Sequence, residues 1–512
     1  MLFLCCCSTA TTQIDNARIY NPTAYIADFV HAVQIDETFH IFGHGTSDNP
    51  FNDFDLFHLT INDDLDICDT FIYKSITPNI SDYRSQNNII VNGDTIISTS
   101  INPGTVFISS LSDGYLSSIE LPFHVERSPY PTSIKSTQDK IIVLTTLYDD
   151  STSKNFNRVF IFTKALQLVS WFDINENEVL SFRDFTIADD ELVLIGSQRT
   201  GAASSDTFTT KIVVKNISLD GEILSTTYPL EDNLNGLVND IIYSEGNFIF
   251  SYLNYLKAPT NTPGFIQLLA RPSIVMIDQD YNVVWNHKVG RDKYSWRNNS
   301  RRMTRSHEDD ATILVGSQAT YSEQDSFPPG DTLTYDGEYA QVEGFITKVM
   351  DNGEIAWTRQ YAYNDRPWTK TQFNSVVAID QDRYAITGRV DGLPPDFEPL
   401  TSGLFMIVDD EGCAEPGCGE STSNIKLVIP SIDNKLLVYP NPVTDLLTIS
   451  HDINEDAIYS LYNDAGALVK SEYIKKGQYI LIIDMSSLPS GTFTCTRKSK
   501  MHAAKSNRVI KI

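Results

Sequence analysis

One pattern recurs along most of this 512-residue chain and restricts its fold more than any other feature. From about Ala24 to Gly417, a β-rich stretch ends at a small residue and a polar loop follows. A second β stretch then leads through an Asp/Asn/Gly turn to a third. The first stretch recurs as Phe39 to Gly43, Thr95 to Ser98, Ile141 to Thr145 and Leu192 to Gly196. It returns as Asn247 to Ser251, Thr312 to Gly316 and Tyr384 to Gly388. Steps between the small residues run from about 47 to about 72, the longer ones carrying bigger loops, as insertions into repeats do.

The second stretch and its turn keep phase with the first. Clear copies are Ile217 to Leu224 around Asp220-Gly221, Val275 to Trp285 around Asp278 to Asn282, and Ile346 to Trp357 around Asn352-Gly353. Asp-Gly and Asn-Gly tolerate the positive φ of tight hairpin turns, so each copy predicts a hairpin. Repeats of this length with four short strands are the signature of a β-propeller. About seven copies form a ring that closes the sheet edges otherwise open to aggregation. A flat solenoid needs distinct caps, and none is evident. The last blade is short after Val408, and Ala17 to Tyr20 is placed to supply its closing strand.

Composition agrees with an all-β chain. Apolar residues make up 41% and charged residues 21%, ordinary globular usage that permits a sizeable core. The 24 Tyr and 26 Phe, with many Thr, Ile and Val, suit pleated and half-buried surfaces, and no helical apolar period is sustained. A formal charge of −27 argues against nucleic acid as a partner, because phosphates attract Lys and Arg. The charge is unevenly spread: from Asp433 onward ten Lys or Arg stand against eight Asp or Glu. The negative charge therefore belongs to the body, and the tail is electrostatically a separate unit.

Residues 1–10 are apolar, carry Cys5, Cys6 and Cys7, and end in a small-x-small step, as the back half of a secretory signal peptide does, with cleavage expected after Ala10. Beyond it remain Cys68, Cys413, Cys418 and Cys495. Cys413 and Cys418 flank a Pro-Gly turn, where a local disulfide is geometrically easy and suits an oxidising compartment. So short a loop contributes on the order of 2 kcal/mol.

The one dense basic run in the acidic body is Arg291 to His307, interleaved with aromatics between the fifth and sixth blades. Tyr294 and Trp296 offer flat faces, and Arg297, Arg301, Arg302 and Arg305 offer planar donors, suited to an anion or a sugar. The competing reading is ion pairing with surrounding carboxylates, the commoner fate of a charge run. Asp173, Asn175, Asn177 and Asp184 mimic calcium-loop spacing. Glu178 replaces the required Gly and Asp184 the bidentate Glu, so a polar blade turn is favoured. The same holds for Asn62 to Asp66. His40, His44 and His58 fall in the first blade and read as paired polar strand positions. No Gly-x-Ser-x-Gly, His-Glu-x-x-His or Walker loop is present, and no metal or cofactor is expected. The loop from Tyr321 to Glu343 is the expected face decoration.

Two resemblances extend this reading. The endings at Trp285 and Trp357 resemble those of quinoprotein-like propellers, which implies a blade-docking role for both indoles. Nothing here resembles a quinone site. Residues 436–512 alternate in short strands and predict a small Ig-like β-sandwich. Tyr439-Pro440-Asn441-Pro442, Asp445-Leu446-Leu447, Asp464-Ala465-Gly466, Leu488-Pro489-Ser490-Gly491-Thr492-Phe493 and the Arg508 to Ile512 end occur in order. That series resembles the type A C-terminal sorting domain of the type IX (Por) secretion system. Thr492-Phe493 departs from the more usual Gly-Thr-Tyr, and Thr494 to Ser506 is unusually basic.

The resemblance implies a protein secreted or displayed on the outer cell surface, with the type IX machinery as partner. It further implies removal of the sorting domain and attachment to surface lipopolysaccharide. The expected plan is a leader over 1–10, a propeller over 11–420, a linker over 421–435 and the sorting sandwich over 436–512. The cargo is expected to be a non-catalytic binding or adhesion module for a glycan, protein or surface. A secreted propeller hydrolase or lyase acting on glycans is the alternative.

Overall fold

The computed structural model describes the strands and most tight turns between residues 17 and 511. Residues 1–16, 21–25, 47–54, 74–88, 201–208, 231–234, 260–265, 320–341, 363–369, 392–400 and 415–437, with several shorter connections, lie outside the described residues. Every regular element described is a β-strand.

Seven four-stranded antiparallel blades follow one another, over residues 26–73, 89–124, 129–174, 179–227, 235–288, 299–361 and 370–409. The seventh takes only three strands from its own stretch of chain. Its fourth is Ala17–Tyr20, which pairs antiparallel with Thr401–Asp409 in the register Ala17↔Met406 to Tyr20↔Gly403. The ring is thus closed by a strand that precedes all the others in sequence. Single parallel bridges, Val342↔Lys370 and Ile26↔Thr401, join blades 6, 7 and 1 into one continuous sheet.

Burial orders the strands within a blade. Second strands such as Ala311–Ala319 are buried throughout, while fourth strands such as Leu168–Ile174 and Ile223–Thr227 are largely exposed. The fourth strands therefore form the outer rim, and the first strands ring the axis. Apolar cores lie between blades: Ile313, Val315 and Ile346 of blade 6 pack with Phe373, Ile386 and Val408 of blade 7. Phe29, Phe39 and Ile41 of blade 1 pack with Phe405 and Ile407 of blade 7 in the same way.

Outer-strand aromatics lock one blade to the next. Trp285 of blade 5 donates its indole N–H to the Asp351 carbonyl in the blade 6 turn, at 2.9 Å. Trp357 of blade 6 does the same to the Asp410 carbonyl of blade 7, also at 2.9 Å. Each ring lies on a turn glycine of positive φ, Gly353 (φ 87°) under Trp285 and Gly412 (φ 74°) under Trp357. Only glycine both adopts that φ freely and leaves room for the ring. Between blades 4 and 5 the sizes are exchanged: Tyr281 occupies the turn and hydrogen-bonds Ser225 on the outer strand.

Residues from Val438 onward form two sheets, one of three strands and one of four, on a common core. Leu447, Ile449 and Ile483 from one side meet Tyr459, Leu461, Phe493, Cys495 and Val509 from the other, which makes a small β-sandwich.

Candidate functional site

The chemistry of the propeller gathers at its axis. In six blades the first strand carries a β-bulge at the same place, between Phe29/His31, Tyr130/Ser133, Phe182/Asp184, Val238/Asp240, Ser300/Met303 and Phe373/Ser375. A bulge inserts one residue and re-aims the next side chain. Before the bulge, Phe29, Phe182, Val238 and Phe373 are buried in the core, and the polar residue after it is turned toward the axis. His31, Ser133, Asp184, Asp240 and Ser375 are the side chains so delivered, and in blade 6 Arg302 stands in the bulge itself, just ahead of Met303. For blade 2, the stretch ahead of Ile89 lies outside the described residues.

These groups form one connected network. Ser133 Oγ donates to Asp184 Oδ1 at 2.5 Å, Lys135 Nζ lies 3.3 Å from Asp184 Oδ2, and the Ile241 N–H donates to the same oxygen at 3.0 Å. The Asp184 and Asp240 side chains hydrogen-bond one another, and the Met303 N–H donates to Asp240 Oδ2 at 2.6 Å. Each carboxyl thus holds a main-chain N–H of the following blade. Across the axis, Arg302 Nη1 lies 3.3 Å from His31 Nδ1, and Ser375 Oγ lies 3.0 Å from the same nitrogen.

Burial sets the protonation states. Asp184 and Asp240 are 0% and 2% exposed. Two adjoining carboxylates cannot both ionise cheaply in such a place. Burial and then the Asp184 charge push Asp240 up to about 7. Burial also raises Asp184, but Lys135 and the hydrogen bonds it accepts outweigh that and hold it below the ordinary value. The pair carries a single proton in mild acid, on Asp240. Burial, then Arg302, then Lys135 hold His31 well below the ordinary histidine value, so it is neutral. A guanidinium can only donate, so His31 Nδ1 accepts and the ring proton sits on Nε2.

Of the basic residues expected from sequence, Arg302 is placed in this network. Arg305, roughly 10 Å further along the same strand, forks onto Asp351 Oδ1 and Oδ2 at 2.5 and 2.8 Å. Arg301 stands in the blade 6 bulge and is part-buried. Arg297 donates its main-chain N–H to Ser295 Oγ at 3.1 Å. Its side chain stands close enough to Lys370 to help burial hold that ammonium below the ordinary lysine value. The Tyr294 ring faces the Lys288 ammonium at 5.7 Å, and Trp296 lies outside the described residues.

Asp173, the first residue of the calcium-like spacing, is held by Arg158 at 2.5 and 2.8 Å, and Asp184 lies in the axial network instead. His40 Nδ1 and His58 Nε2 are hydrogen-bonded at 2.9 Å in blade 1. Burial holds both rings below the ordinary histidine value, His58 at about 3. Cys413 is buried, and Cys418 lies outside the described residues. Cys68, exposed, and Cys495, buried, are both thiols outside any disulfide.

Comparison with known proteins resolves the C-terminal unit. The family described as the secretion system C-terminal sorting domain matches residues 437–511. The β-sandwich is a type IX sorting domain. The protein is therefore secreted or attached to the cell surface, and its sorting domain engages the type IX machinery. Tyr439 and Gly491 fall inside the match, as do Pro440, Asn441 and Pro442, which lie outside the described residues.

No curated protein matches the chain. Among solved structures, the chain is similar to a subtype N10 neuraminidase-like protein of A/little yellow-shouldered bat/Guatemala/060/2010. Identity is 9% and TM-score 0.35, over 77% of this chain and 97% of that one. The GH93 alpha-L-arabinofuranosidase of Fusarium graminearum matches at 10% identity and TM-score 0.36, over 63% and 91%. The β-propeller domain of the Trilobed protease from Pyrococcus furiosus matches at 8% and 0.39, over 79% and 100%. Likeness at this level carries no statement about activity.

Proposed function

We infer that the sorting domain carries to the cell exterior a non-catalytic binding propeller, which engages a glycan, a protein or a surface through one face. The observation behind this reading is the state of the two axial carboxyls. Glycosidase carboxyls stand apart, about 5–5.5 Å in retaining enzymes and 6.5–9.5 Å in inverting ones, so that a sugar or a water fits between. Asp184 and Asp240 are hydrogen-bonded to each other, and both hold backbone N–H groups. Such a pair ties blades together and has no room for a glycosidic bond. A secreted glycan hydrolase or lyase is the second reading, and it requires carboxyls elsewhere.

The binding face proposed is the one bearing Tyr294, Trp296, Arg297, Arg301 and Arg302, with Lys370 beside Arg297 as an added cation. Arg305 remains in the proposed set, although its fork is occupied by Asp351. The Cys413–Cys418 disulfide, the linker over 421–435 and transfer to lipopolysaccharide after removal of the sorting domain complete the reading. The test is a glycan and cell-surface binding array on the full-length protein and on Trp296→Ala and Arg302→Ala. Loss of a signal in either variant supports the face. Unchanged binding removes the basic run, and release of reducing sugar from any arrayed glycan replaces binding with catalysis.

A further inference from the structure

We propose that Lys370 of blade 7, with Arg389 beside it, anchors the oxyanion of an acidic sugar, a carboxylate or a sulfate ester. This rests on the glycan reading of the face that includes Lys370, and it names the class of sugar selected there.

The first support is an ammonium that passes its natural partner by. Lys370 opens the first strand of blade 7, Lys370–Ala378, and stands directly opposite Asp391 at the end of the second, Arg383–Asp391. Side chains so paired have Cβ atoms about 5 Å apart, well within a lysine's reach. Among the described residues, Lys370 nevertheless makes no hydrogen bond and no ion pair. Asp391 Oδ1 instead accepts from Thr401 Oγ1 at 2.8 Å and lies 3.7 Å from Arg389 Nε.

The second is the company this ammonium keeps. Arg389 stands two positions back from Asp391 along the strand, so it shares a sheet face with Lys370. It is fixed there: Arg389 Nη1 donates to Asp28 Oδ2 of blade 1 at 3.0 Å, and Asn374 Nδ2 donates to Asp28 Oδ1 at 2.6 Å. The Arg389 side chain is 33% exposed, which leaves part of the guanidinium open to a ligand, while its buried Nε has no hydrogen-bond acceptor. The Arg297 guanidinium, from the connection into blade 6, bears on the same ammonium. Like charges are thus held close around a half-buried donor that lacks an acceptor, a costly arrangement that an anion relieves.

The third concerns what carries the anion. At a formal charge of −27 the protein repels a partner that is acidic all over. One oxyanion on an otherwise neutral frame escapes most of that repulsion, and an acidic sugar residue has this form.

The test is calorimetric titration of the full-length protein with two pairs of disaccharides. One pair is a glucuronate-bearing sugar and its methyl ester, the other a 6-sulfated N-acetylglucosamine sugar and its unsulfated parent. The charged member of at least one pair should bind at least tenfold more tightly than its neutral twin, and which pair does so identifies the oxyanion. Lys370→Met should erase that preference without lowering Tm, because the side chain makes no bond that folding needs, and Lys370→Arg should restore it. A clear fall in Tm for Lys370→Met makes the lysine structural and overturns the proposal. Equal binding of charged and neutral sugars, unchanged in Lys370→Met, overturns it while leaving the glycan face standing. Binding of no sugar overturns both, as does an aspartate-rich peptide that binds more tightly than any of the sugars.

Discussion

Asp184 and Asp240 sit carboxyl to carboxyl at the propeller axis, each also accepting a main-chain N–H from the blade that follows its own. Two adjacent blade seams therefore converge on one shared proton, and the stability of the ring is linked to pH through it.

Asp240 is held up at about 7 against an ordinary 3.8. A carboxyl raised on folding contributes stability that is complete below its unfolded value and is lost as pH climbs through its folded one. The free energy of unfolding should therefore fall between about pH 4 and 7 and level off above that. Asp184 shifts the other way and acts at the acid end, as pH falls below its ordinary value. Asp240→Asn reproduces the protonated form, accepting from Met303 and donating to Asp184. Denaturant titrations across pH should show a flatter profile and a gain over wild type at pH 8. Asp184→Asn turns an amide toward the Ile241 N–H or Lys135 and should cost about 2–3 kcal/mol at any neutral pH. Equal profiles for Asp240→Asn and wild type would show that the proton is not shared.

The indole–glycine locks predict a specific non-additivity. Trp357→Ala removes a packed ring and its bond to Asp410, for a loss of about 3 kcal/mol. Gly412→Ala sets a methyl 2.6 Å from that ring at φ 74° and should cost about 1–3 kcal/mol. In the double variant the clash is gone, so the combined loss should fall short of the sum. Strict additivity in a double-mutant cycle would mean that ring and turn do not touch.

Removing residues 17–20 leaves Thr401–Asp409 as an open strand edge. The expected result is a lower Tm and concentration-dependent association on size-exclusion chromatography, because an unpaired edge templates pairing with another chain. A deletion that stays monomeric with unchanged Tm would show that closure does not depend on this strand.

Truncation before Leu436 takes away the sorting sandwich while leaving the described blade strands in place. Cell fractionation and protease accessibility on intact cells should then find the propeller in the periplasm. Surface display of the truncated protein would contradict the assignment of the address to this domain.

The repeat was legible because small residues, Asp/Asn/Gly turns and outer-strand Trp residues recur in phase, and each has a local physical cause. Closure by Ala17–Tyr20 followed from counting strands in the last blade. The axial network was hidden for a different reason. His31, Ser133, Asp184, Asp240, Arg302 and Ser375 differ in chemistry and share only a place at the first-strand bulge, 11 to 14 residues ahead of each blade's small residue. The bulge that turns them inward shifts the alternation by one residue, so a period-2 reading assigns them to the wrong face. Asp184 even drew notice as the end of a calcium-like spacing. Alignment of the repeats to one another, column by column, is the signal that exposes such a ring.

Ring closure also orders events in time. Ala17–Tyr20 is synthesised ahead of every blade, yet its partner, Thr401–Asp409, is among the last parts of the propeller to follow. During synthesis the chain is an open arc whose two ends cannot meet until nearly the whole propeller has been made. The sorting domain follows it. The address is complete only after the parcel can be sealed, so a half-made propeller carries no label by which the machinery could take it outward.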